Sequence, residues 1–138
     1  MKTALVMTGA LLFALLGLLG ATGGALADPK DHCVAAGGET RVQQGTVTCS
    51  ASGTGAVAHV KGADSRATAA GDHNKARVSG DGSRAVATGG TTNTATVTGD
   101  GSVAGAGNGD TNTATACGDG QTAGALNGNG QTDPDGCP

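Results

Sequence analysis

Four cysteines and three evenly spaced aspartates are the residues of this 138-residue chain whose types and intervals could do chemistry. Cys33, Cys49, Cys117 and Cys137 lack the closely spaced Cys pairs that a zinc site needs. An even number of cysteines in a small exported chain reads instead as two disulfides. Three pairings are possible, and proximity favours Cys33 with Cys49 and Cys117 with Cys137. At such loop lengths each bridge contributes about 3 kcal/mol. Asp81, Asp100 and Asp119 recur at intervals of 19, each directly before a glycine. Stacked about 4.8 Å apart, such carboxylates repel by about 1 kcal/mol even in water. A cation such as calcium would relieve the repulsion, which makes these three the candidate metal ligands. Asp-Gly is also an ordinary turn dipeptide, whose exposed carboxylate can splay away. The interval matches neither an EF-hand loop nor the calcium-binding nonapeptide repeat.

A second constellation is polar and uncharged. Thr94, Thr96 and Thr98 precede Thr113, Thr115 and Cys117 by 19 residues, so stacked strands would present the five threonines as a flat grid of hydroxyls and methyls. They are the candidate surface-binding residues. Such a grid resembles the ice-binding faces of repeat-built antifreeze proteins, and it would equally suit a glycan or a mineral. Exposed threonine also has simple β-propensity to explain it. Lys61, Arg66, Lys75, Arg77 and Arg84 are interleaved in sequence with Asp64, Asp72 and Asp81, which reads as a mixed, solvated face. His32, His59 and His73 share no spacing that suggests a metal site. A catalytic nucleophile needs a base and an orienting group on a rigid frame, and no such arrangement is recognisable here. The expectation is therefore no enzyme, no catalytic residue and no cofactor.

These residues are positioned by two features of the chain. The first is a leader: Thr3 to Ala27 holds no charge, follows Lys2, carries the apolar run from Leu11 to Leu19 and ends in Ala25-Leu26-Ala27. This is the order of a signal peptide cleaved after Ala27, and no cysteine stands there for a lipid anchor. Of the 8 basic residues only Lys2 lies in the leader, so 7 remain against 11 acidic ones and the mature charge is −4. No Lys or Arg follows Arg84, and the single Phe is in the leader. An acidic chain without aromatics has neither the basic footprint nor the stacking platforms of a nucleic-acid binder.

The second feature is a repeat. Asn74 to Thr92, Asn93 to Thr111 and Asn112 to Gly130 are three ungapped copies of 19 residues. Ala56 to His73 is a further copy with one deletion, and Gln131-Thr132 begins another before Pro134. Inside each copy small apolar residues alternate with polar ones, as at Ala76 and Val78 and again at Ala85 and Ala87. Alternation signals strands, and the glycine-rich breaks such as Gly80-Asp81-Gly82 signal turns. Two strands and two turns per copy predict an all-β fold, a short thin parallel β-solenoid of 19-residue rungs. Asn74, Asn93, Asn112 and Gln131 would stack as an amide ladder, donating to one rung and accepting from the other. Ser65, Ser83, Ser102 and Gln121 would form a second ladder.

The register places Cys137 roughly 6 Å from Cys117, within disulfide reach. The predicted organisation is a signal peptide over 1–27, a disulfide-closed cap over 28–55, solenoid repeats over 56–132 and a tied tail over 133–138. Val42 and Thr46-Val47-Thr48 are the expected strands of the cap. An alanine interior gains about 0.8 kcal/mol per methyl, against about 1 to 2 kcal/mol of backbone entropy per ordered residue. The alternative is accordingly a disordered Gly/Ala/Thr-rich chain with two covalent loops.

The units Ser65-Arg66-Ala67, Ser83-Arg84-Ala85-Val86-Ala87 and Ser102-Val103-Ala104-Gly105-Ala106 resemble those in the β-roll heads of trimeric autotransporter adhesins. The stretch from Asp31 to Gly38 and on to Cys49-Ser50-Ala51 is similar to small exported actinobacterial proteins of unknown function with Ala/Gly-rich repeats. The first resemblance implies a β-roll but, like the second, no activity. It implies neither trimerisation nor anchoring, because stalk and anchor are missing. Three functions are expected as alternatives: a secreted or cell-envelope structural or interaction protein acting through flat faces, a small-ligand binder for ice or calcium, and a disordered envelope spacer. The partner is unknown, with an envelope component or a protein surface as candidates. Nucleic acid is not expected, and membrane contact only through the leader before cleavage.

Overall fold

The computed structural model describes residues 31–138; the leader expected over 1–27 lies outside them. Short runs, most of them alternating in burial and most followed directly by glycine, give twelve strands. They are β1 (His32–Ala36), β2 (Glu39–Gln44), β3 (Thr48–Ser52), β4 (Val57–Lys61), β5 (Arg66–Ala70) and β6 (Lys75–Ser79). After them come β7 (Arg84–Thr88), β8 (Thr94–Thr98), β9 (Val103–Gly107), β10 (Thr113–Cys117), β11 (Thr122–Leu126) and β12 (Thr132–Asp135). From β3 onward successive strands alternate between two sheets, as a chain coiling into two-stranded rungs must. Sheet A has the order β12-β10-β8-β6-β4-β1-β2 and sheet B the order β11-β9-β7-β5-β3. The repeat strands of each sheet are parallel and in register, Lys75 beside Thr94 beside Thr113 in sheet A and Arg84 beside Val103 beside Thr122 in sheet B. This is the expected parallel β-solenoid, about five rungs long and closed by a disulfide near each end.

Alternate side chains of each strand point between the sheets. Ala76, Val78, Ala95, Val97, Ala114 and Ala116 of sheet A meet Ala85, Ala87, Ala104, Ala106, Ala123 and Ala125 of sheet B, all buried. A core this thin fills only because methyls let the sheets close to dispersion contact along their whole length. The corners are as tightly constrained. Gly80 and Gly99 follow β6 and β8 with φ of 147° and 131°, and a Cβ on Gly80 would stand 2.1 Å from the Gly99 carbonyl oxygen one rung on. At the other corner Thr92 and Thr111 adopt φ of 62°, where the flanking rungs place His73, with φ of 56°, and Gly130. A β-branched residue in left-handed geometry costs about 1 to 2 kcal/mol. Asparagine tolerates it better, and Asn108 and Asn127 already hold φ of 54° and 62°. Thr111→Asn is therefore expected to raise Tm by a few degrees in a circular-dichroism melt, since about 0.5 to 1 kcal/mol is recovered. An unchanged or lower Tm would mean that the threonine carries no strain.

The two ladders form, with one correction. Asn74, Asn93 and Asn112 are fully buried, but their amides bond backbone, not one another. Asn93 and Asn112 N–H donate to the Oδ1 of Asn74 and Asn93, at 2.7 and 2.9 Å. Each Nδ2 donates inward to corner carbonyls, that of Asn93 to Gly89 at 3.0 Å and to Gly109 at 2.7 Å. Backbone groups at a buried corner have no water, so satisfying them is worth more than an amide stack. Ser65, Ser83 and Ser102 work likewise, each Oγ donating to a glycine carbonyl of the next rung and accepting the next ladder residue's N–H. No buried side-chain nitrogen or oxygen lacks a partner among the described residues.

The ends depart from the plain repeat. β3 belongs to the solenoid, pairing parallel with β5 from Thr48–Arg66 to Ser52–Ala70. The cap is instead the hairpin β1–β2, and β1 lies antiparallel against β4. The Cys33–Cys49 bridge ties β1 in sheet A to β3 in sheet B through the buried core, with a Cα separation of 5.9 Å. At the far end Cys117–Cys137 spans 4.9 Å between Cα atoms. It holds β12 so that two carboxylates close the open edge of β11, Thr122 N–H donating to Asp135 Oδ2 at 3.0 Å and Gly124 N–H to Asp133 Oδ2 at 2.6 Å. An unpaired strand edge invites another strand, and charge placed on it blocks that pairing.

Candidate functional site

The candidate threonines lie together on the outer face of sheet A because β8 and β10 pair without a shift. Thr94 stands beside Thr113 and Thr96 beside Thr115, while Thr98 stands beside Cys117, which the disulfide occupies. Neighbouring columns are about 6.6 Å apart along the strand and rungs about 4.8 Å apart across it. β12 extends the grid by Thr132 beside Thr113, then stops it with Pro134 beside Thr115. Thr132 is a residue the sequence reading missed, although its position one after Gln131 repeats that of Thr94 after Asn93 and Thr113 after Asn112. Towards the N-terminus the same columns continue into Lys75, Arg77 and Ser79 of β6.

Asp81, Asp100 and Asp119 do stack at one corner, and the corner explains how they bear it. Asp81 Oδ1 accepts the Ala63 N–H at 2.8 Å, Asp100 Oδ1 that of Asp81 at 2.8 Å and Asp119 Oδ1 that of Asp100 at 2.9 Å. A backbone dipole thus lies between successive carboxylates. The same device recurs at the opposite corner, where Asp110 Oδ1 accepts the Thr91 N–H and Asn129 Oδ1 that of Asp110. Among the described residues no group of three or more His, Cys, Asp or Glu is placed to hold a metal ion.

The outer face of sheet B carries glycine where the grid on sheet A carries threonine. Gly105 pairs with Gly124, and the large apolar side chains exposed on it are Val103 at 40% and Leu126 at 48%. Arg66 and Arg84 stand beside one another at its other end.

The histidines, scattered in sequence, are partly gathered by the antiparallel cap. His59 on β4 faces outward beside Arg77, and β1 sets His32 opposite Lys61. Partial burial, then the charges of Arg77, His32 and Lys61, hold the His59 imidazole below its ordinary pKa. Its folded value thus lies below the unfolded one. The resulting stability is complete above the unfolded value, near 6.5, and is lost as pH falls through the folded value. Tm is expected to drop on acidification from neutral, and His59→Gln should flatten that part of the profile. Equal slopes in the two proteins, followed by thermal melts across the range, would remove His59 as the cause.

No family model, curated protein or solved structure matches the chain.

Proposed function

We propose that the chain is an exported structural or surface-interaction protein that recognises its partner by laying a flat solenoid face against it. The observation that carries the reading is the in-register outer face of sheet A, where threonine faces threonine across β8 and β10. A rigid row of short side chains loses little conformational entropy on contact, so even modest contacts per residue yield net binding. The two disulfides fit an extracellular or otherwise oxidising compartment. The leader and the likeness of the Ser83 to Ala87 unit to adhesin heads support secretion or residence in the cell envelope. The oxidised protein is expected to be retained by isolated cell-envelope material. Thr96→Glu with Thr115→Glu should weaken retention about tenfold, the equivalent of about 1.4 kcal/mol. If neither this pair nor Thr68→Glu with Val86→Glu on sheet B changes retention, the flat faces are not the binding surface.

A further inference from the structure

The outer face of sheet A carries more than hydroxyls. Its columns run from Val57 through Lys75, Thr94 and Thr113 to Thr132, from His59 through Arg77, Thr96 and Thr115 to Pro134, and from Lys61 through Ser79 and Thr98 to Cys117. On the far side of β4, β1 adds His32 opposite Lys61, Val34 opposite His59 and Ala36 opposite Val57. Lys61, Lys75 and Arg77 therefore share one face of two adjacent strands with an imidazole between them. No carboxylate belongs to this face on β1, β4, β6, β8 or β10. The nearest in register is Glu39, opposite Ala36 at the outer edge of β2.

In the sequence these cations alternate with Asp64, Asp72 and Asp81, and the chain reads as mixed. Folding sorts them. Every one of those aspartates falls at a corner, where Asp72 Oδ1 accepts the Thr54 N–H at 3.1 Å and Asp81 Oδ1 the Ala63 N–H at 2.8 Å. The cations are left with the face to themselves, in a chain whose net charge is negative. The depressed pKa of His59 is a further sign of that field.

We propose that this face binds an anionic polysaccharide, whose acidic groups meet Lys61, Lys75 and Arg77 while its hydroxyls meet the threonine columns. The inference rests on the flat-face reading above and names the face and the partner. Two observations select this partner. The cationic patch and the hydroxyl grid are continuous along the same columns, so a linear polymer lying along the solenoid axis crosses both. The face also offers no Phe, Tyr or Trp: the chain's single Phe is Phe13, in the leader, so beyond the imidazoles of His32 and His59 bases have no stacking platform, and charge with hydroxyls is most of what the face can read.

The oxidised full chain is tested against immobilised heparin and polygalacturonate, with dextran as the neutral polymer and oligothymidine as the rival polyanion. Expected are binding to both acidic polysaccharides, weakening as salt rises, and no binding to dextran. Lys75→Gln with Arg77→Gln should lower affinity about tenfold, as two lost charge contacts of up to about 1 kcal/mol each allow. Arg66→Gln with Arg84→Gln removes equal charge from sheet B and should change affinity by less than about twofold. All four side chains are exposed, and unchanged far-ultraviolet circular dichroism will show that both variants fold. The proposal is overturned if the two variants lose affinity equally, if oligothymidine binds as tightly as the polysaccharides, or if the folded protein binds neither polysaccharide. If neither polysaccharide binds while envelope material still retains the protein through sheet A, the flat-face reading stands and only this partner falls.

Discussion

Asn93→Ala is expected to cost about 4 kcal/mol and to lower Tm by about 15 to 30 °C, most of what a domain of this size has to spare. The side chain is fully buried and makes three hydrogen bonds. Its loss leaves the Asn112 N–H without an acceptor and the Gly109 carbonyl without the amide donor, while the Gly89 carbonyl keeps the Gly109 N–H at 3.2 Å. Each buried group left unpaired costs about 1 to 3 kcal/mol, and alanine restores neither. Thermal melts give the magnitude, and amide exchange locates it, with Asn112 losing protection before the strands do. A loss under about 1 kcal/mol would show that water enters the corner and takes over the bonds.

The second large effect is steric. Gly99→Ala puts a Cβ 2.2 Å from the Gly118 carbonyl oxygen and 2.4 Å from its carbon, both rigid backbone of the next rung. Relief requires the two rungs to part at that corner, which stretches the Gly118 N–H to Thr98 carbonyl bond, now 2.7 Å. A cost of about 4 kcal/mol is expected, at the high end for a single substitution. Gly101, two residues on in the same turn, supplies the control. Its φ is 64°, but a Cβ there meets nothing within 4 Å, so Gly101→Ala should cost only about 1 kcal/mol. If the two variants melt together, backbone conformation and not rung contact governs the turn.

Much of this architecture is legible in the sequence because the solenoid repeats every constraint at a fixed interval. The inward alanines, the two polar ladders and the Cys117–Cys137 closure follow once Asn74, Asn93 and Asn112 are set above one another. What lies outside the period is not legible. The 19-residue interval says nothing of β1, which enters antiparallel between β2 and β4 and brings His32 to Lys61. Nor does it reveal that Asp133 and Asp135 hold the edge donors of β11, since no earlier rung has an open edge to supply the pattern. The candidate site was half visible: the threonine grid is periodic, but the removal of Asp64, Asp72 and Asp81 to the corners is a matter of where turns project. A charge count along the chain averages over that direction.

The carboxylate closure after β11 makes molecular length an independently variable property. Both terminations engage only the rung adjacent to them, and the rungs between repeat the Asn and Ser ladder bonds from neighbour to neighbour. Duplication of the segment from Asn93 to Thr111 would slot in a new rung with its own Asn, Ser and Gly at the required places, extending the rod by about 4.8 Å and leaving either terminus unaltered. Such a protein can change its reach by unequal recombination without redesigning anything, as a ruler grows by whole divisions.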